Sequence, residues 1–250
     1  DPLMGSQLPI NATIAPQDIM HLFADGITRH EAAWLLYFLI SRKFTALEAV
    51  QATIRHYRNW SRDVRIPPLP ANVSEGITGR LPRPDATISM SASQTTKFAL
   101  HSVALLGPLL SDEAKETPEW KSWVAHVQLL EFALRQEFSL SDAAELDRLV
   151  KAHHDKFLAV PLYRGLWKPK HHFATHLAVE LLRFGPLRGY YCMPHEGFNK
   201  VVKGASSLSQ YRSEDIFVIE HWVMKSGRKM RGQLHADWLA EYPVEDEESA

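Results

Sequence analysis

Apolar residues recur at helical spacing along most of this sequence, and proline or glycine punctuates the recurrences. That combination limits the chain to an assembly of short helices. A stripe repeating every three or four residues must bury against another element, and proline cannot sit inside a helix. Ile19, Leu22 and Phe23 share a face after Asp18; Gly26 interrupts, and the apolar run Ala32 to Ile40 continues as a buried helix. Thr45 with Glu48 predicts a capping box, opening a helix with the stripe Leu47, Val50, Ile54 and Tyr57. Prolines 67, 68, 70, 82 and 84 make 61–92 a Pro-rich loop. A helix then runs from about Ser93 to Gly107-Pro108.

Thr117-Pro118-Glu119 combines a cap, a first-turn proline and an early acid, and Trp120, Trp123, Val127, Leu130 and Leu134 form the stripe that follows. A further helix from about Ser141 carries Leu146, Leu149, Val150, His153 and Phe157 on one side. Pro169 opens a helix closing at Gly185-Pro186, and Pro194 opens another reaching about Lys203. Residues 216–224 are β-prone and suggest a small hairpin. The expected organisation is an irregular lead-in at 1–17, a mainly α domain at 18–203, a β-prone segment at 204–240 and an acidic tail at 241–250.

Composition narrows the class. With 45% hydrophobic and 23% charged residues in 250, the chain can bury a full core. The formal net charge is -1, yet charge is segregated: residues 148–203 carry ten Arg/Lys against three acids, and 112–147 carry nine acids against three bases. A basic face of that kind can meet phosphates, or it is a solvated helix surface. The single cysteine, Cys192, excludes an internal disulfide framework and fits a reducing compartment, so an intracellular protein is expected, and no run approaches the roughly 18 apolar residues needed to cross a membrane, so no membrane partner is expected. No phosphate-binding glycine loop, dinucleotide fingerprint, nucleophile elbow or C-x-x-C is present.

Three segments offer chemistry. Asp18 is placed to cap a helix, with His21 one turn on; as a metal motif, D-x-x-H supplies only two ligands. His171, His172 and His176 are candidates for zinc or for phosphate contact; His172 and His176 share a face, but a site would need further ligands recruited by the fold, which makes zinc the weaker option. Glu196 lies in a helix's first turn, where the dipole favours a carboxylate and where a metal ligand would project from a rigid element.

In order along the chain, Asp18-x-x-His21 through Gly26, Ser91-Ala92-Ser93-Gln94, His153-His154-Asp155-Lys156-Phe157 with Pro169-Lys170-His171-His172, and Phe184-Gly185-Pro186-Leu187 with Met193 through Lys200 and Lys203 resemble landmarks of eukaryotic DDE transposases with a ribonuclease H-like core. The likeness is to Kyakuja–Dileera–Zisupton, CACTA-like and hAT-like elements, and covers about residues 16–203. It implies a helical insertion bundle attached to a core remnant, and a Mg2+ (or Mn2+) centre that cuts and joins DNA strands in a full-length parent. On that mapping Glu196 is the third acid, a catalytic metal ligand, and Asp18 and His21 support the site; a second mapping makes Asp18 a metal ligand too. Lys168, Lys170, Arg188, Lys200 and Lys203 become DNA-backbone contacts, with self-association a further partner. The first two acids would lie before Asp1, so the chain as given is not expected to be a competent nuclease. Pro194, His195 and Gly197 depart from the family's M-R-x-E-A spacing. The rival reading is a non-catalytic, transposon-derived interaction module using Trp120 and Trp123 as groove anchors.

Overall fold

In the computed structural model, the chain divides into two compact units, residues 1–193 and 194–250. The structure describes residues 16–57, 69 and 84–192, all in the first. The expected β-prone segment, the acidic tail and the helix after Pro194 lie outside the described residues. Among the described residues the secondary structure is helical, without a strand, and no helix is long and apolar enough to cross a membrane.

The chain enters through a π-helical segment, Met20–Ile27, which leads into α1 (Thr28–Ser41). Asp18 accepts from the backbone N–H groups of Met20 (3.0 Å) and His21 (3.3 Å), as a capping carboxylate should. The interruption expected at Gly26 is a true kink, with φ -128° and ψ -107°. A Cβ there would sit 2.8 Å from the His21 carbonyl oxygen and 2.4 Å from Lys170 Cδ, so only glycine fits without displacement. Lys170 Nζ fills the gap from outside, donating to the carbonyls of His21 (2.6 Å) and Asp25 (3.3 Å) beside the kink.

After α1 the chain turns at Lys43, which takes a left-handed conformation (φ 60°), and Phe44 N–H closes onto Leu39 O at 2.9 Å. α2 (Leu47–His56) therefore begins later than the Thr45 capping box required: Ala46 holds the N-cap position and no side chain caps it. α3 (Ala92–Leu106) starts with a capping box of its own, Ser91 with Gln94. Then come α4 (Asp112–Glu116), α5 (Pro118–Ala133), capped by the Thr117 hydroxyl, and α6 (Asp142–Ala159). The helix expected from Pro169 to Gly185 is two, α7 (Pro169–Ala174) and α8 (Leu177–Phe184), because the Thr175 hydroxyl donates to the His172 carbonyl at 2.7 Å and the chain tightens there.

The most extensive packing is α5 on α6; α1 packs on the π-helical segment, α3 and α5, and α7 packs on the π-helical segment. Trp120 and Trp123 are 6% and 1% exposed. They are core residues, and the Trp123 Nε1–H donates to Ser102 Oγ at 2.8 Å. That removes them as groove anchors for a partner. A second apolar cluster gathers Trp34, Phe157, Val160, Tyr163 and Leu166 between α1, α6 and the 3-10 turn Pro161–Leu166.

Candidate functional site

The densest polar arrangement is buried and centres on Glu31. On α1 this residue follows Thr28 by one turn and precedes Trp34, so its carboxylate points inward among apolar neighbours, 2% exposed. A lone buried carboxylate would be prohibitive; here imidazoles from three other helices surround it. His153 on α6 donates from Nε2 to Glu31 Oε1 (2.9 Å) and lies 3.1 Å from Oε2. His171 on α7 donates from Nε2 to Oε1 at 3.0 Å. Its tautomer follows from the other ring nitrogen, since Nδ1 accepts from the Lys168 backbone N–H at 3.0 Å. His126 on α5 places Nδ1 3.8 Å from Oε2 and pairs Nε2 with the Thr28 hydroxyl at 2.9 Å.

Burial alone would push the Glu31 carboxyl pKa up, but the surrounding imidazoles outweigh it and hold the group well below the ordinary carboxylate range. Burial pushes His126 down to about 3 and His154 down to about 4, so both rings are neutral near pH 7. Aromatic rings close the cluster: Trp167 stacks on His171 at 4.8 Å, and Phe157 lies 4.7 Å from the same ring.

A second cluster lies at the start of the chain's described part. Asp18, His21 and Cys192 each bring one potential ligand atom within 4.8 Å of the others. Asp18 Oδ1 accepts from the Cys192 backbone N–H at 3.0 Å as well as from Met20, and Oδ2 pairs with His21 Nδ1. Burial opposes ionisation of Asp18, but the Cys192 amide, the His21 ring and the Met20 amide more than offset it, so its pKa lies below the usual value. Both oxygens are engaged by protein donors. With an imidazole and a thiol beside it, this donor set does not suit Mg2+, which takes oxygen ligands in octahedral geometry. The fold thus joins Asp18 and His21 and adds Cys192 through its backbone, while Glu196, expected to converge on the same pair, lies outside the described residues.

The other expected site residues scatter. Glu196, Lys200 and Lys203 lie outside the described residues. His171 is buried and cannot face phosphate, whereas His172 and His176 are exposed with their rings edge-to-face at 5.2 Å. The three therefore do not form one site. Lys170 is committed to the His21 and Asp25 carbonyls, and burial lowers its pKa. Lys168 is half-buried; Arg188 is exposed and lines a cleft of about 550 Å³ with Lys97, His101, Glu131 and Tyr191.

Glu31 and His126 were not expected from the sequence. The available signal was an acid and a histidine standing on otherwise apolar stripes, Glu31 one turn before Trp34 and His126 one turn after Trp123. A scan against protein-family models finds no match, and comparisons with curated proteins and with solved structures find none.

Proposed function

We propose that this chain is a transposase-derived, DNA-binding helical domain, with the Asp18–His21 pair as a positioning element for metal-dependent strand chemistry carried out in a longer parent. The observation that carries the reading is the return of the chain to Asp18: the Cys192 N–H bonds its carboxylate, and the neighbouring Tyr191 lines the cleft that holds Arg188 and Lys97. A guanidinium and an ammonium, set against the single carboxylate of Glu131, and an aromatic ring around one cleft suit a phosphate backbone and an unstacked base. Because Asp18 is saturated by protein donors, no metal-bound step is assigned to it.

The test is fluorescence anisotropy with labelled duplex and branched DNA. Affinity should fall as salt rises from roughly 50 to 200 mM, and Arg188→Ala should lower the salt slope by about one. Absence of binding, or binding indifferent to salt, would overturn the reading.

A second reading, a helical protein-interaction module of the same origin, draws on one observation. Phe173, Val179 and Leu182 are 45%, 55% and 58% exposed on α7 and α8. It predicts concentration-dependent self-association in sedimentation experiments, abolished by Leu182→Glu, and no affinity for duplex or branched DNA. A monomer at all concentrations would reject it.

A further inference from the structure

We propose that Glu31, His126, His153 and His171 form a zinc site that clamps α1, α5, α6 and α7 together. Such a site is independent of DNA binding.

The geometry is the first support. One ligand atom each from Glu31, His126 and His153 lies within 4.8 Å of the other two, and His171 Nε2 is 3.0 Å from Glu31 Oε1. Four donors sharing a tetrahedral zinc at ordinary bond lengths stand roughly 3.3–3.4 Å apart. The 2.9 Å approach of His153 needs only to open by a few tenths of an ångström and the 3.8 Å separation of His126 needs only to close, whereas His171, 3.0 Å from the carboxylate but outside the group of three, must swing towards the other two rings to become the fourth ligand.

The second support is an orphaned atom. His126 Nδ1 is buried with no hydrogen-bond partner, and 3.8 Å is too long for a bond to Glu31. In the tautomer whose Nε2–H donates to the Thr28 hydroxyl, Nδ1 carries a lone pair beside the carboxylate, an arrangement that a cation between them would relieve. His171 can follow. Its Nδ1 lies 3.3 Å from the Lys168 carbonyl oxygen, which accepts the ring proton once Nε2 turns to the metal. His153 Nδ1 lacks a partner with or without the ion.

The donor chemistry is the third. Three imidazoles and one carboxylate suit zinc and are poor for magnesium or calcium. All four side chains are 0–2% exposed, so the ion would be enclosed as the helices close and would act structurally.

The test uses the full chain, stripped with chelator and titrated with Co2+ alone. Expected are one equivalent bound, the intense visible bands of four-coordinate cobalt without a thiolate charge-transfer band, displacement by Zn2+, and a Tm raised by Zn2+. Cys192→Ser and the double variant His172→Ala/His176→Ala should behave as wild type, and His126→Ala should lose the visible bands. Weak octahedral cobalt bands, a thiolate band placing the ion at Cys192, or a Tm indifferent to Zn2+ would each overturn the proposal. Because the cobalt spectrum is read on the unaltered chain, the proposal stays falsifiable even where the His126 variant misfolds.

Discussion

Replacing Lys170 by methionine separates two roles that one lysine could serve. Its ammonium lies 2.6 Å from the His21 carbonyl and 3.3 Å from that of Asp25, on the rim of the kink that Gly26 creates. Methionine keeps most of the apolar stem and removes only the donor, so the change isolates the hydrogen bonds. A bond from a charged donor contributes about 1.5–3 kcal/mol. The shorter contact should carry most of this, and the exposure of His21 keeps the figure from going higher. In a domain of this size each kcal/mol moves Tm by roughly 2–4 °C, so Lys170→Met should lower it by roughly 3–12 °C. Thermal unfolding followed by circular dichroism at constant pH reads the effect. DNA affinity measured well below Tm should change little. An unchanged Tm together with a large loss of DNA affinity would refute the reasoning and make Lys170 a phosphate contact.

Gly26→Ala should cost about 1–3 kcal/mol in urea unfolding, since the new methyl meets the His21 carbonyl oxygen at 2.8 Å; a neutral result would mean the π-helical segment relaxes freely. Trp123→Phe should lose roughly 2–3 kcal/mol through the missing bond to Ser102 and the smaller ring, while a loss below about 0.5 kcal/mol would contradict its core placement. Glu180 is buried beside the Gln17 N–H (3.1 Å), and burial raises its pKa. A carboxyl whose folded pKa exceeds its unfolded value contributes most at low pH and loses that contribution as pH rises through the folded pKa. Glu180→Gln should therefore gain stability relative to wild type as pH rises above the ordinary glutamate range, and a gain that shrinks with rising pH would reverse the assignment.

Helix-scale order was legible because its signals are local. Thr117-Pro118-Glu119 opens α5 as expected, since a cap and a first-turn proline act within a few residues. The stripe Leu146, Leu149, Val150, His153 and Phe157 is buried along α6, as helical periodicity demands. The Thr45 capping box failed: α2 starts one residue later than it requires, at Leu47 after an Ala46 that no side chain caps. Ser91 and Gln94, part of the transposase-like pattern, also have a purely local reason to be what they are: they cap α3 reciprocally.

The buried site was the least legible part. His153 and His171 stand out in the sequence for separate reasons, and neither points to Glu31 across 122 and 140 positions. Only the packing of α6 and α7 around α1 makes them partners. The lysines expected to meet DNA show the converse limit: sequence supplies their charge, whereas the kink at Gly26 decides that Lys170 is spent on backbone carbonyls.

The claim on which the structural account rests is that an ionised Glu31 ties four helices through their histidines. Urea unfolding of metal-free Glu31→Gln tests it directly. The amide presents an N–H group to rings that need acceptors, so the account predicts a loss of at least about 1.5–3 kcal/mol, the contribution of one hydrogen bond to a charged acceptor. A variant as stable as the wild type would contradict it and leave these side chains as incidental neighbours in the core.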